Sequence, residues 1–128
     1  MTRERRVRHA RRAPLIGALL MVGLCHSAAA ADAEHGKGVF EACAACHAEN
    51  SNALGPTLKG IFGRRSAAVE DFRYSPAMTR ANLVWDETNL REFISDPQAK
   101  VKGNRMPFGG IPNPADVDDL LAYLKDYK

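Results

Sequence analysis

Near the C-terminus, Val117, Leu120, Leu121 and Leu124 follow the i, i+3, i+4, i+7 spacing that lines up one face of a helix. Asn113-Pro114 supplies its start, a side-chain cap followed by a residue whose fixed φ suits the first helical position. Asp116 and Asp118 in the first turns and Lys125 near the end match the helix dipole. A second helical pattern runs from Glu34 to Cys46, with few breakers after Gly38 and with Val39, Phe40, Cys43 and Cys46 at helical spacing. A third starts at a cap on Asp86, carries Leu90, Phe93 and Ile94, and is expected to end near Pro97. Ser75-Pro76 predicts a short helix that carries Met78. The stretch Gly103–Gly110, with three glycines and a proline, predicts a loop. No segment alternates apolar and polar as a half-buried strand would, so the pattern predicts an all-α domain without repeats or linkers.

The first 31 residues read differently. Six arginines crowd into the first twelve positions, an apolar stretch runs from Pro14 to about Cys25, and small residues follow from Ser27 to Ala31. That order is the pattern of a cleaved export signal, with cleavage after Ala30 or Ala31 fitting best and Ala33 as the alternative. The apolar run is shorter than the roughly 20 residues a bilayer span needs. A basic nucleic-acid arm would leave it unexplained. Neither arginine pair is followed by residues that suit a twin-arginine signal, and Leu24 disfavours lipidation at Cys25.

Composition changes accordingly. The full 128-residue chain has 18 Lys plus Arg and 15 Asp plus Glu; removing six arginines and Glu4 leaves 12 against 14, a mildly acidic domain over residues 32–128. Of the three cysteines only Cys43 and Cys46 remain. A domain of this size buries roughly two thirds of its unfolded surface, a modest core that a large apolar cofactor would enlarge.

The sequence Cys43-Ala44-Ala45-Cys46-His47 is a C-x-x-C-H motif, the attachment signature of c-type haem. Thiols three positions apart on a helix share a face and reach the two vinyl groups along one porphyrin edge. The adjacent His47 is then carried under the ring, where a nitrogen can ligate iron. A thioredoxin-like pair would need a preceding strand and a βαβ pattern. Structural zinc would need more ligands than His35 provides, and a disulfide fits poorly at this spacing in a regular helix. An export signal ahead of the motif matches the compartment in which haem c is attached. One covalent haem c on Cys43 and Cys46 is therefore expected.

For a second axial ligand the domain offers Met106, Met78 and His35. Met106 lies in the glycine-rich loop, which can bring a sulfur close to a flat ring. Met78 sits in the short helix, where packing is the simpler role, and His35 shares the helical segment of His47 and cannot easily reach the other haem face. Met106 is the preferred ligand and Met78 its rival.

Taken together, Gly36-Lys37-Gly38-Val39-Phe40, Cys43 to His47, Gly55-Pro56-Thr57-Leu58, Gly60-Ile61-Phe62-Gly63-Arg64, Tyr74-Ser75, Trp85, Leu90, Pro97, Gly103 to Pro107 and Leu120 to Lys125 resemble class I cytochromes c of the mitochondrial and bacterial c2 group. The resemblance implies a cytochrome c fold, with N- and C-terminal helices packed across each other around one haem, close at Gly36 and Phe40. It implies His47 as proximal and Met106 as distal ligand, and a Pro56 carbonyl that accepts a hydrogen bond from the proximal imidazole. Arg64, Tyr74 and Trp85 resemble the residues that hydrogen-bond a buried haem propionate, a group costly to bury without partners. Four positions depart from the pattern: Phe93 replaces a frequent tyrosine, Asn104 a threonine, Lys102 a common proline, and Met78 an internal asparagine.

These readings predict a periplasmic, monomeric single-electron carrier rather than an enzyme, without nucleic-acid binding or stable membrane insertion. Its expected partners are redox proteins: an oxidase, a reductase or a dehydrogenase. Lys37, Lys59, Lys100, Lys102 and Arg105 are candidates for steering such a partner. The alternatives are a haem subunit held in a periplasmic dehydrogenase or sulfur-oxidising complex, and a haem peroxidase or gas sensor with an open sixth site.

Overall fold

The computed structural model describes residues 30–128. The export signal expected over residues 1–31 therefore lies, but for its last two positions, outside the described residues. Five helices follow in order: α1 Ala33–Ala44, α2 Pro76–Ala81, α3 Glu87–Ser95, α4 Pro97–Lys100 and α5 Pro114–Asp126. Among the described residues the only extended pairing is an isolated antiparallel bridge between Arg65 and Val84. The all-α expectation holds.

Each helix starts where a side chain can satisfy its unpaired N–H groups. The Asp32 carboxylate accepts from the backbone N–H of Glu34 at 2.9 Å and of His35 at 3.2 Å. Asp86 caps α3 through the N–H of Asn89 at 2.8 Å, and Asn113 caps α5 through that of Ala115 at 3.1 Å. Buried Ser75 caps α2 by accepting from Met78 N–H at 3.1 Å.

Two boundaries differ from the sequence expectation. Helix α1 stops at Ala44 rather than reaching Cys46, because the Cys43 carbonyl accepts from both Cys46 N–H at 3.1 Å and His47 N–H at 2.9 Å. That shared carbonyl tightens the last turn and turns the chain toward His47. The third helix does end before Pro97, but Asp96 breaks it with an extended backbone and starts α4 by accepting from Ala99 N–H at 3.0 Å. Pro97 is thus the first residue of a further short helix as well as the stop of the previous one.

The core lies where α5 crosses α1 and rests on α3. Val117, Leu120, Leu121 and Leu124 are buried on α5, against Phe40 of α1 and Leu90, Phe93 and Ile94 of α3. The Phe40 ring meets Tyr123 at 5.1 Å and Tyr127 at 4.8 Å between centroids, offset geometries that favour aromatic pairs. The two helices touch backbone to backbone at Gly36: a Cβ there would lie 2.0 Å from the carbonyl oxygen of Asp119. Only glycine permits that approach. His35 Nδ1 and the Asp32 N–H both bond the Asp119 carboxylate, closing the crossing at its outer end.

Candidate functional site

The turn after α1 delivers the motif side chains to one place. Cys43 and Cys46 are half-buried and His47 is buried, and all three line a cleft of about 540 Å³. Gly55 N–H donates to the Cys46 carbonyl at 2.8 Å, folding the following loop back beneath the imidazole. A Cβ on Gly55 would lie 2.5 Å from the His47 ring, so the glycine lets the loop close against it. The next carbonyl, that of Pro56, accepts a hydrogen bond from His47 Nδ1 at 2.7 Å. This bond places the proton on Nδ1 and leaves Nε2 with a lone pair and no partner among the described residues, the form a metal requires. Burial pushes the Cys43 thiol above its ordinary range, the opposite of an activated redox thiolate.

Apolar side chains of two helices build the inner wall: Leu90, Phe93 and Ile94 from α3, Leu120 and Leu124 from α5. Both methionines reach the same cleft. Met78 comes from helix α2 and Met106 from the loop after α4, each half-buried, whereas His35 lines no part of it. Asn104 organises the Met106 loop. Its buried amide donates to the carbonyls of Pro97 at 2.8 Å and Val101 at 2.9 Å, and its oxygen accepts from Met106 N–H at 2.9 Å. Gln98 braces the same turn through Gly103 N–H at 3.1 Å and the Asn104 carbonyl at 3.0 Å. Sequence reasoning marked Asn104 only as a departure from a threonine. Its role depends on carbonyls three and seven residues earlier that the turn wraps around it.

Arg64, Tyr74 and Trp85 also line the cleft. Arg64 donates to the carbonyls of Lys59 at 2.9 Å and Thr57 at 2.6 Å, using two of the five N–H donors of its guanidinium. The Tyr74 hydroxyl accepts from Val69 N–H at 3.3 Å and keeps its own proton to donate. Trp85 is tied to Arg64 through its backbone N–H at 2.8 Å and meets the Phe93 ring at a tilt, 5.1 Å between centroids. The sequence-predicted residues therefore converge, and each propionate candidate retains a donor.

The steering candidates do not converge. Lys59 pairs with Glu49 at 3.9 Å and Lys100 with Glu92, while Lys37 and Lys102 have no carboxylate within 4.0 Å among the described residues. Of the five cations only Arg105 lines the cleft.

The donor set fits haem: two thiols on one helical turn, an imidazole with a free nitrogen, thioethers, apolar walls for a flat ring and N–H and O–H donors for its carboxylates. Among the described residues no cluster of three or more His, Cys, Asp or Glu is arranged to hold a metal ion, so the zinc alternative has no ligand set. No helix among the described residues is long and apolar enough to cross a membrane.

Comparison with known proteins agrees. The family model described as Cytochrome c matches residues 33–128. Cytochrome c2 of Blastochloris viridis is 39% identical over 116 residues, covering 88% of this chain and 91% of the relative. Cytochrome c2 of Rhodoblastus acidophilus is 43% identical over 102 residues, covering 77% and 95%. The solved structure of cytochrome cH from Methylobacterium extorquens superposes with a TM-score of 0.70 at 41% identity, covering 73% of this chain and 97% of that one. The chain thus belongs to the cytochrome c family, a class I monohaem cytochrome c whose Cys43-x-x-Cys46-His47 motif binds one covalent haem c.

Proposed function

We propose that this protein is an exported single-electron carrier in a respiratory or periplasmic oxidation chain, with His47 and Met106 as the axial ligands. One observation carries the proposal: both side chains, with both thiols, line one largely apolar cleft, which among the described residues has no Asp, no Glu and no second histidine in its lining. Bound haem supplies a one-electron iron couple, whose potential His/Met ligation raises.

The chain's own residues set the conditions. The Pro56 carbonyl orients the imidazole through Nδ1, and the Asn104 amide oxygen holds the backbone of Met106. Leu90, Phe93, Ile94, Leu120 and Leu124 line the cleft and would exclude water from the face of a bound ring. With both His47 and Met106 bound, haem iron would have no open position for oxygen or peroxide, and among the described residues the cleft lining offers no Asp, Glu or second histidine to move the protons that peroxide cleavage demands. The enzyme alternative is therefore disfavoured.

The export reading rests on the arginine-rich, apolar and small-residue order of residues 1–31, and the partners that follow from it are periplasmic redox proteins, met by a monomer. A redox titration followed by the reduced-haem spectrum should show one reversible one-electron step; its absence would overturn the carrier role. Protein recovered from a periplasmic fraction should begin at Ala31 or Asp32, alone rather than in a stable complex with a dehydrogenase.

A further inference from the structure

The charged lining of the cleft has one sign. Arg64, Arg65, Arg73 and Arg105 line it, and the remaining titratable groups there are Tyr74, His47 and the two thiols. Three of the four guanidiniums are committed: Arg64 to the carbonyls of Thr57 and Lys59, Arg65 to the Asn82 side chain, and Arg105 to the Arg73 carbonyl. Arg73 alone has neither a hydrogen-bond acceptor nor a carboxylate within ion-pair distance among the described residues, although Glu70 and Asp71 precede it closely. Its backbone is meanwhile held to the Met106 loop by the bond from Arg105. An uncommitted, exposed guanidinium thus rises from a tethered backbone at the lip of a cleft suited to a dianionic cofactor.

Haem carries two propionates. Arg64, Tyr74 and Trp85 resemble the partners of one, and no assigned group neutralises the other. From this accounting we propose that Arg73 binds the second propionate and keeps it ionised through neutral pH. Arginine suits the task because its planar fork matches a carboxylate and stays charged at every working pH. The inference deepens the carrier reading and rests on haem in this cleft.

The test is the pH dependence of the midpoint potential of the haem-loaded protein, compared among wild type, Arg73→Gln, Arg73→Lys and the control Lys102→Gln. At acidic pH the unpaired propionate of Arg73→Gln is protonated, so one positive and one negative charge are lost together and the potential stays close to wild type. As pH rises the propionate ionises without its partner, stabilises the oxidised state, and the potential falls below wild type. Arg73→Lys should restore most of the wild-type profile, and Lys102→Gln, which removes an exposed cation outside the cleft, should not change its shape. NMR of the propionate resonances should show the same ionisation moved to higher pH in Arg73→Gln. A drop in potential equal at every pH would make Arg73 an ordinary surface charge, and an unchanged profile would give it no role; either overturns the proposal. Loss of the reversible step in the wild type would instead sink the carrier reading.

Discussion

Replacing Gly36 by alanine tests how the two terminal helices are joined. The new Cβ would stand 2.0 Å from the Asp119 carbonyl oxygen and 2.4 Å from its carbon, where ordinary contacts begin at 3.4 Å. The obstacle is helix backbone, which cannot rotate aside as a side chain would. Helix α1 must therefore lift from α5, loosening Phe40 from Tyr123 and Tyr127. Overpacking of this kind costs about 1–3 kcal/mol, and a rigid partner puts the cost at the upper end or beyond it. Alanine recovers about 0.5–1 kcal/mol of helix propensity, so the expected net loss is about 2 kcal/mol. At about 4–8 °C per kcal/mol for a domain of this size, the melting temperature should fall by about 8–16 °C. Gly38, two residues on in the same helix, is the control: nothing lies within 4 Å of its Cβ position. Gly38→Ala should gain the propensity without the clash and melt a few degrees higher. Thermal unfolding of the haem-loaded variants by far-UV circular dichroism measures both. A Gly36→Ala protein that melts at or above wild type would refute the close-crossing argument, as would two variants shifted in the same direction.

Met106→Ala should abolish the sulfur-to-iron absorption at the red edge of the oxidised spectrum, and Met78→Leu should leave it intact; the reverse pattern would assign the sulfur to Met78. His47→Ala should prevent stable folding, since haem supplies much of the core, and a folded haem-free variant by circular dichroism would contradict this. Asn104→Leu removes the side-chain donor from the Pro97 and Val101 carbonyls, each of which keeps one backbone N–H, and leaves the Met106 N–H unpaired, at about 1–3 kcal/mol for a buried group without a partner. Guanidinium unfolding should show a loss of about 1–3 kcal/mol, and an unchanged midpoint would count against its bracing role. At the α1–α5 crossing, the Asp119 hydrogen bond and charge hold His35 above its ordinary 6.5, outweighing partial burial, so its contribution is complete below pH 6.5 and is lost as pH rises through the higher folded value. Asp119 is held below its ordinary 3.8, first by Asp32 N–H and then by His35, so its contribution is present above pH 3.8 and fades as pH falls through the lower folded value. Stability from this pair should therefore be greatest between about pH 4 and 6.5. His35→Gln should flatten the alkaline side of the stability–pH curve, and an identical curve would remove the pair from consideration.

The helices were largely legible because their signals are local. Asp86, Asn113 and Ser75 are recognisable as caps from sequence, and each accepts the N–H bond its position predicts. The spacing of Val117, Leu120, Leu121 and Leu124 marked a face that is now buried to the last residue. The errors arose at the ends. Whether α1 continued past Ala44 depended on the Cys43 carbonyl serving two donors, and whether Pro97 merely ended a helix or also began one depended on the Asp96 backbone turning extended.

By itself the sequence determined the chemistry that adjacency can encode. Two thiols and an imidazole within five residues specify haem attachment before any fold is known, and the pattern of residues 1–31 specifies an expected export step. The tertiary structure decided everything that depends on residues far apart meeting. It brought Met78 and Met106 to one cleft and turned His35 away to Asp119. It made Asn104 the brace of the Met106 loop, and it sorted equivalent-looking cations into Lys59 and Lys100, already paired, and Arg73, uncommitted at the cleft. Helix caps and periodicities act over a few residues of chain. Charge pairing and cavity lining act through space, so they exist only once α5 has crossed α1 and the loops have closed around the core.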